Sequence, residues 1–497
     1  MLNGLHAETD EGFVQFMEQT KTAFALETPI PDGVKAKLRD YQKEGFRWMC
    51  RLDTWGAGGC LADDMGLGKT LQALCFLLHK APSGPSLVVA PKSVVPNWVS
   101  EAVRFTPSLQ VNVLNNANSR YWAVENAGPG DVLVCTYGLL ATEADNLKNK
   151  QWNVVCLDEA HQIKNRQTIA SHTAMELKAS SRFILTGTPL QNNLSELWNL
   201  FQFINPGLLG NWSVFRDSYI LPTLDEEHRM LLKETTMPFI LRRTKEDVLS
   251  ELPEKLVNTH LVEMTEHETA VYEDMRRKVE LKFKKNKNKK EREEAAQLKI
   301  NFFSELTRLR LASCSMKLIH EGWAEPLSKV TALLDLLERL MEEPSNHILV
   351  FSQFTSFLDS IKPELKNRCY DFLYLDGQTP LDKRQELVNS FQDGDCRLFL
   401  SSLKAGGLGI NLTQANYVIL LDPWWNPAIE NQAMDRAHRL GQKRVVSVIR
   451  LISQHTIEEK ILRLHETKQN LSDDILDGTA DSYKLTYEDV MDMVAPF

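Results

Sequence analysis

Three short segments, far apart in the chain, carry residue types that suit the chemistry of phosphate transfer. They are Asp63–Thr70, Asp158–His161 and Gln432–Arg439. The first can surround phosphates, the second can bind magnesium and activate a water molecule, and the third can bring arginines to the developing charge. Together, in this order, they predict an enzyme that hydrolyses ATP with the help of Mg²⁺.

The first segment has the composition of a phosphate-binding loop. Gly66 and Gly68 allow tight backbone turns, and Lys69 supplies a cation for the β and γ phosphates. Thr70 offers a hydroxyl to magnesium at the start of an apolar helix, whose N-terminus favours anions. Asp63 stands where the generic pattern G-x-x-x-x-G-K-[ST] has its first glycine. Taken alone, the segment is equally consistent with an ordinary loop before a helix.

The second segment follows an apolar run, Trp152–Leu157, that predicts a buried strand. Asp158 therefore lies at the carboxyl end of a strand, where ligands bind in open α/β sheets. Its carboxylate suits magnesium, and Glu159 suits the activation of the attacking water. The alternative is an acidic strand end that caps the next helix.

The third segment places two arginines on one predicted helix face. Arg436 and Arg439 are three residues apart, and Gln432 lies one turn before Arg436. Arginines from a second domain can neutralise charge in phosphoryl transfer once the domains close. The alternative is a solvated basic helix face.

Composition sets the class of protein. A chain of 497 residues predicts two or three domains, and 43% hydrophobic with 25% charged residues is ordinary for a globular protein. The net charge of −9 argues against a uniformly basic surface but leaves room for a local basic groove. The eight cysteines form no Cys-x-x-Cys pair, which favours reduced core thiols in the cytoplasm and no zinc site. No segment resembles a membrane span or a signal peptide.

Short apolar runs recur with helix-like stretches between them, in two halves of the chain, which predicts two parallel, doubly wound α/β sheets. In the first half the runs are Cys60–Ala62, Leu87–Ala90, Val111–Leu114, Val132–Cys135, Val154–Leu157 and Phe183–Leu185. In the second half they are Ile348–Phe351, Phe372–Leu375, Leu398–Ser401, Val418–Leu421 and Val446–Ile449.

Between the halves, roughly Leu194–Leu337, charged helical periodicity dominates. This middle region holds the most basic stretch of the chain: Arg276, Arg277, Lys278, Lys282, Lys284, Lys285, Lys287, Lys289, Lys290 and Arg292. Such a stretch suits contact with a phosphate backbone, but the solvated tip of a helical hairpin is the favoured interpretation.

Further motifs flank the three segments. They are Leu38–Gly45, Pro91–Trp98, Leu185–Asn193, Phe351–Phe354, Lys404–Leu412, Asp422–Pro427 and Asp435–Gln442. With the three segments, they closely resemble the Swi/Snf family of ATPases in helicase superfamily two, over about Leu38–Leu464. That family usually has an aspartate at the position of Asp63. The resemblance implies two RecA-like lobes with helical insertions between them.

The resemblance also implies roles for individual residues. Catalysis would rest on Lys69, Glu159, Arg436 and Arg439, and magnesium would be held by Thr70, Asp158 and Glu159. The nucleotide contacts would be Arg39, Gln42, Asp64, Met65, Gly66, Leu67, Gly68, Lys69, Thr70, Leu71, Gly407 and Gly409. Contacts to DNA would be made by Lys92, Thr136, Ser352, Gln353, Ser402 and Lys404. Coupling between the two functions would involve His161, Thr188, Gln191 and Gln432.

Five regions are expected. They are an N-terminal helical segment over 1–30, a first lobe over 31–205, helical insertions over 206–335, a second lobe over 336–465 and an acidic helical tail over 466–497. The first segment is expected to be the end of an upstream region, so the chain would be an ATPase core from a longer protein. Leu403 and Lys404, where eukaryotic members usually have Thr-Arg, favour a bacterial or archaeal member.

The resemblance implies a monomeric DNA-dependent ATPase that translocates on double-stranded DNA and displaces or remodels bound protein, without strand separation. We expect it in the cytoplasm, at the nucleoid, and with no membrane partner. Three alternatives remain: a strand-separating helicase in repair or phage defence, a recycling factor associated with RNA polymerase, and a non-catalytic scaffold. The intact Lys69, Asp158 and Glu159 argue against the last.

Overall fold

The structure is a computed structural model that describes residues 18, 20–23, 25–115, 117–163, 165–187, 194–220, 226–249, 251–286, 304–320, 322–403, 411–425, 427–439, 441–465 and 487–497. The described chain forms two compact units, the first within residues 1–250 and the second within 251–474 and 483–497. Each unit is an α/β fold around its own sheet.

The first unit contains a seven-stranded sheet in the order β3-β4-β2-β5-β6-β1-β7, with every pairing parallel. Its strands are β1 (Gly59–Leu61), β2 (Ser86–Ala90), β3 (Gln110–Val113), β4 (Asp131–Thr136), β5 (Gln151–Asp158), β6 (Lys178–Leu185) and β7 (Ile240–Leu241). The central strands are continuous apolar runs because both of their faces are buried; all five residues of β2 are inaccessible.

The helices of the first unit connect these strands and cover the sheet. They are Asp40–Trp55, Lys69–Lys80, Val95–Phe105, Arg120–Glu125, Tyr137–Thr142, Ala144–Asn149, Ile169–Glu176, Leu194–Ile204, Trp212–Tyr219, Glu226–Thr236 and Lys245–Val248. Their apolar faces join the strands in one hydrophobic core.

The second unit contains a six-stranded parallel sheet in the order β10-β11-β9-β12-β13-β8. Its strands are β8 (Lys255–Val262), β9 (Ile348–Ser352), β10 (Leu373–Leu375), β11 (Leu398–Ser402), β12 (Tyr417–Leu420) and β13 (Val446–Ser453). Its helices are Glu266–Asn286, Ser328–Met341, Thr355–Asn367, Leu381–Asp393, Pro427–Met434 and Tyr487–Val494, with further helical stretches at 304–314 and 457–465.

Both faces of the second sheet are covered. In β9, Ile348 and Val350 belong to one buried cluster while Leu349 and Phe351 belong to another. Because successive strand residues point to opposite faces, two separate cores enclose the sheet, as a doubly wound fold requires.

The predicted fold class, two parallel α/β sheets, is confirmed, and every predicted strand is present. Two strands were missed, and both come from the region predicted to hold only helices. β7 has two residues, too few for a periodic signal, and six of the eight residues of β8 are exposed, so no apolar run marks it.

The structure also bears on the predictions about the cysteines and about membrane-spanning segments. Seven of the eight cysteines are buried and Cys369 is exposed, and all are free thiols. Within the ranges given above, no helix has both the length and the apolar character needed to cross a membrane.

Candidate functional site

The phosphate-loop segment connects the end of β1 to the helix Lys69–Lys80. Gly66 and Gly68 have φ angles of 91° and 80°, in the left-handed region that favours glycine. Gly68 is the N-cap residue of the helix, and no side chain caps that end. The backbone N–H groups of the first turn are therefore available to an anion.

Lys69 points back over the loop. Its Nζ donates to the backbone oxygens of Asp63 at 2.6 Å and Asp64 at 3.2 Å. Thr70 is half-buried in the first turn of the helix, and Leu71 is buried beneath it. The loop thus presents an ammonium group, a hydroxyl and free N–H groups at one place, as a triphosphate requires.

Asp158 ends β5, and its carboxylate is almost fully buried. Its Oδ2 accepts a hydrogen bond from Trp98 Nε1 at 2.8 Å, and its backbone oxygen accepts one from the Tyr137 hydroxyl at 2.8 Å. Burial, followed by the charge of Glu159, raises the pKa of Asp158 to about 7. A carboxylate desolvated in this way gains most from a cation beside it.

Glu159 follows directly and has a φ of 49°, one of three positive values at non-glycine residues in the described chain. Its N–H donates to the Leu185 oxygen at 2.8 Å, and Leu185 pairs with Asp158 across β5 and β6. The turn at Glu159 is thereby fixed to the sheet edge.

The ends of three neighbouring strands meet at this edge. Leu61 pairs with Leu185, which pairs in turn with Asp158. Beyond β6, a Cβ added at Gly187 would lie 2.9 Å from Met65 Cγ and 3.8 Å from Lys69 Nζ, so a side chain there would require Met65 to move. The apolar run before Asp158 predicted that this residue lies at the carboxyl end of a strand, and Asp158 does end β5.

Two of the predicted nucleotide contacts, Arg39 and Gln42, help to hold the loop in place. The Gln42 side chain accepts from the Arg39 N–H at 3.0 Å and donates to the Leu67 oxygen at 3.1 Å. The Tyr41 hydroxyl donates to the same oxygen at 3.1 Å. A Cβ at Gly68 would lie 2.6 Å from Gln42 Nε2, so a side chain at position 68 would displace the glutamine.

The residues around the loop fit a magnesium nucleotide. The donor set combines an ammonium, backbone N–H groups and a hydroxyl for the phosphates with a desolvated carboxylate for the metal. Lys69 is also close enough to Asp158 to lower its pKa, although burial outweighs this effect.

In the second unit, Gln432 lies on the helix Pro427–Met434, but this helix ends before the two arginines. Residues 435–439 form turns in which the N–H groups of Arg436 and Ala437 reach back three residues, and the Arg436 oxygen accepts from the Leu412 N–H at 3.0 Å. The predicted common helix face is therefore wrong, because the α-helix ends at Met434, before both arginines. Arg436 is buried and Arg439 is half-buried.

The candidate DNA contacts of the first unit lie on the same sheet edge as the phosphate loop. Lys92 is exposed just beyond β2, and Thr136 ends β4, where its hydroxyl accepts from the Leu139 N–H at 3.2 Å. Ala90 pairs with Thr136, so the two groups are neighbours at the strand ends.

Those of the second unit end β9 and β11, where Ser352 pairs with Ser402 and both are buried. The Ser352 hydroxyl donates to Asp422, and the Gln353 N–H approaches the same carboxylate at 3.2 Å. The Ser352 side chain is thus used inside the unit, where it holds a loop in place.

Arg310 is a residue that sequence reasoning missed. Its guanidinium lies 3.7 Å from the Asp422 carboxylate, donates to the Pro423 oxygen and stacks 5.1 Å from the Trp425 ring and 5.3 Å from the Phe354 ring. Burial raises the pKa of Asp422 to about 6, and the arginine opposes that shift. An arginine directly after the apolar Leu309 is a weak signal, and its polar partners Asp422 and Pro423 lie more than 100 residues away.

Other predicted residues are placed as follows. His161 lies in the 3₁₀ helix Ala160–Ile163. Thr188, Gln191, Lys404, Gly407 and Gly409 lie outside the described residues, as does the second half of the basic stretch.

Comparison with known proteins identifies the family of this chain. A family model described as the SNF2-related domain matches residues 41–318, and one described as the helicase conserved C-terminal domain matches residues 328–441. The chain is 37% identical over 468 residues to the putative ATP-dependent helicase/translocase YwqA of Bacillus subtilis, covering 90% of this chain and 50% of that protein.

It is 35% identical over 482 residues to the ISWI chromatin-remodeling complex ATPase ISW1 of Saccharomyces cerevisiae, covering 91% of this chain and 42% of that protein. The chain thus spans half or less of the length of these two relatives. Among solved structures, the Sulfolobus solfataricus SWI2/SNF2 ATPase core in complex with dsDNA is 32% identical, with a TM-score of 0.46, and the comparison covers 95% of this chain and 100% of that one.

Proposed function

This chain belongs to the SNF2-related family and is an ATP-hydrolysing enzyme, and from that premise we propose that it uses ATP to translocate along double-stranded DNA. The proposed outcome of translocation is displacement or remodelling of a DNA-bound protein, without strand separation. The proposed setting is the cytoplasm of a bacterial or archaeal cell, where the DNA lies.

One observation carries the proposal. In the first unit, the nucleotide groups and the candidate backbone contacts lie at the carboxyl ends of adjacent parallel strands, with β2 between β4 and β5. Asp158 ends β5 and Thr136 ends β4, while Lys92 follows β2. A conformational change at the ATP site can therefore reach the candidate contacts to a phosphate backbone through adjacent strands of one sheet.

The residues divide the chemistry of hydrolysis among them. The loop N–H groups and Lys69 bind and orient the phosphates, and Thr70 with Asp158 would hold Mg²⁺. Bound magnesium would neutralise phosphate charge. Glu159 accepts the proton of the attacking water, and Arg436 and Arg439 of the second unit supply positive charge when the two units close on the substrate.

The candidate DNA contacts are suited to a backbone and not to bases. A lysine, hydroxyls and an amide hydrogen-bond to phosphate without distinguishing sequence. We therefore expect binding that is nearly independent of sequence and falls steeply with salt. The word translocase in the printed name of the Bacillus subtilis relative supports movement along the strand, and the word chromatin-remodeling in that of the yeast relative supports action on bound protein.

The test compares ATP turnover without nucleic acid and with single-stranded DNA, duplex DNA or duplex RNA, at low and moderate salt. We expect strong stimulation by duplex DNA, release of a third strand from a DNA triplex and no unwinding of a forked duplex. The variant Lys69→Ala serves as the control without turnover.

Other outcomes would select other functions. Unwinding of the fork would replace the proposal by a strand-separating helicase, which the word helicase in the name of the Bacillus subtilis relative also allows. Stimulation by RNA alone would point to a factor associated with RNA polymerase. Failure of every nucleic acid to stimulate turnover would overturn DNA dependence.

A further inference from the structure

The loop that binds phosphate begins with a buried charge. Asp63, at the position where the generic pattern has glycine, is fully inaccessible to solvent. A buried carboxylate is costly unless a cation and hydrogen bonds compensate it. Its partners therefore indicate what holds the start of the loop in place.

The main partner is Arg243, which is 180 residues away in the chain. Its Nε donates to Asp63 Oδ1 at 2.9 Å and its Nη2 to Asp63 Oδ2 at 2.5 Å. This two-pronged geometry fixes both the distance and the orientation of the two side chains.

Backbone contacts extend the attachment. The Ala62 N–H donates to the Leu241 oxygen at 2.7 Å, and the Asp64 N–H donates to the Arg243 oxygen at 3.0 Å. The Lys245 N–H in turn donates to the Asp64 carboxylate at 3.1 Å. Residues 241–245 thus run alongside the entry to the loop, continuing the pairing of β1 with β7.

The same arginine reaches both sides of the loop. It donates to Gln72 Oε1 at 2.9 Å, on the helix that follows the loop, and to the backbone oxygen of Tyr41 in the preceding helix. The contact is so close that a Cβ at Gly45 would lie 1.8 Å from Gln72 Oε1 and 2.8 Å from Arg243 Nη2. Arg243 is therefore the centre of a packed polar cluster around the loop.

We propose that the Asp63–Arg243 ion pair couples the phosphate loop to the chain segment that leads into the second unit. Arg243 is a positioning residue: it touches no phosphate but fixes the residues that do. When nucleotide orders the loop, the pair transmits that order to residues 241–249, after which the chain enters the second unit at Glu251. The inference rests on nucleotide binding and not on translocation along DNA.

Hydrogen exchange measured by mass spectrometry tests the coupling without any nucleic acid. In the natural protein, we expect a non-hydrolysable ATP analogue with Mg²⁺ to slow amide exchange severalfold in peptides over 63–72 and over 241–249. In Arg243→Gln, the analogue should protect the first region and no longer the second. A merely structural role would instead raise exchange equally with and without nucleotide.

The matched control is Arg242→Gln, because Arg242 is the exposed neighbour on the same segment. We expect this control to keep both protections. Arg243→Lys retains the charge but not the two-pronged contact, so protection of 241–249 should be only partly restored.

A double variant guards against misfolding. Asp63→Asn with Arg243→Gln removes both charges and leaves no unpaired buried ion. We expect it to bind nucleotide with an ATP KM raised about tenfold, the scale of one lost charge-assisted hydrogen bond, and still to lack protection of 241–249. The coupling would be overturned if residues 241–249 remained protected in Arg243→Gln or in the double variant, or if they were not protected in the natural protein. Neither result would bear on translocation along DNA, because the experiment contains no nucleic acid.

Discussion

Glu159 occupies a backbone conformation that residues with a side chain rarely adopt. A positive φ of 49° costs on the order of 1 kcal/mol for a residue of this type, so it persists only where neighbouring structure imposes it. Here the N–H bond to Leu185 and the pairing of β5 with β6 impose it. This conformation places the carboxylate just past the strand end, beside Asp158, the proposed magnesium ligand.

The first residue-scale prediction concerns this carboxylate. Glu159→Gln retains the shape of the side chain but removes the proposed base, so ATP should still bind while turnover falls at least about a hundredfold. Nucleotide affinity and steady-state hydrolysis measure the two effects separately. Robust turnover in this variant would show that another group accepts the proton.

Trp98 gives a second prediction. Trp98→Phe conserves the buried ring but removes the N–H that orients Asp158 Oδ2. If Asp158 holds magnesium as proposed, the magnesium concentration for half-maximal ATP turnover should rise about tenfold, the usual effect of removing a group that orients a metal ligand. Trp122→Phe, at a side chain 68% exposed, is the control. An unchanged magnesium dependence would remove Trp98 from the site.

At the scale of elements, Arg310 joins parts of the second unit that are distant in the chain. It connects the helical stretch 304–314 to the loop after β9, through Phe354, and to the loop after β12, through Asp422 and Trp425. Asp422 also accepts from Ser352 and Gln353, two candidate DNA contacts. The shape of that strand edge thus depends on one buried ion pair.

Arg310→Met tests this dependence. Loss of the cation leaves a buried carboxylate, so the second unit should lose about 3 kcal/mol of stability near neutral pH. Because the folded-state pKa of Asp422 lies above its usual value, its unfavourable ionisation is present above about pH 6 and relieved below it. Removal of the arginine raises this pKa further, so the loss, measured by urea denaturation, should shrink as pH falls toward about 6.

The controls are Arg308→Met, at an exposed position on the same helix, and the double variant Arg310→Met with Asp422→Asn. The first should have little effect, and the second should recover part of the stability at neutral pH because no ion remains unpaired. Equal destabilisation by the single and double variants would mean that packing of the arginine, and not its charge, matters.

The whole molecule divides the proposed catalytic groups between two units. Lys69, Asp158 and Glu159 belong to the first, whereas Arg436 and Arg439 belong to the second. Of the two arginines, Arg439 is the more accessible, while Arg436 is only 4% exposed. Arg439 is therefore the better candidate for the arginine that supplies charge during hydrolysis.

Arg439→Ala tests the contribution of the second unit. We expect kcat to fall about a thousandfold, the effect of losing an arginine that stabilises transferred phosphoryl charge, with nucleotide affinity little changed. Arg368→Ala, on the surface of the same unit, should leave turnover intact. Normal turnover in Arg439→Ala would assign hydrolysis to the first unit alone.

Much of this protein was determined by local sequence. Buried parallel strands are short apolar runs, so all the predicted strands were found, and the run before Asp158 placed that residue at a strand end. Gly66 and Gly68 predicted tight backbone turns in the loop, and both residues have positive φ angles. These signals are readable because each depends on residues close together in the chain.

Other features were decided only by tertiary structure. Asp63 meets Arg243 and Asp422 meets Arg310 across separations of more than 100 residues, and Trp98 meets Asp158 across 60. No local pattern specifies such partners, because burial and charge pairing arise only once the sheets bring strand ends together. The end of the helix at Met434 was likewise not visible in the local spacing of Gln432, Arg436 and Arg439.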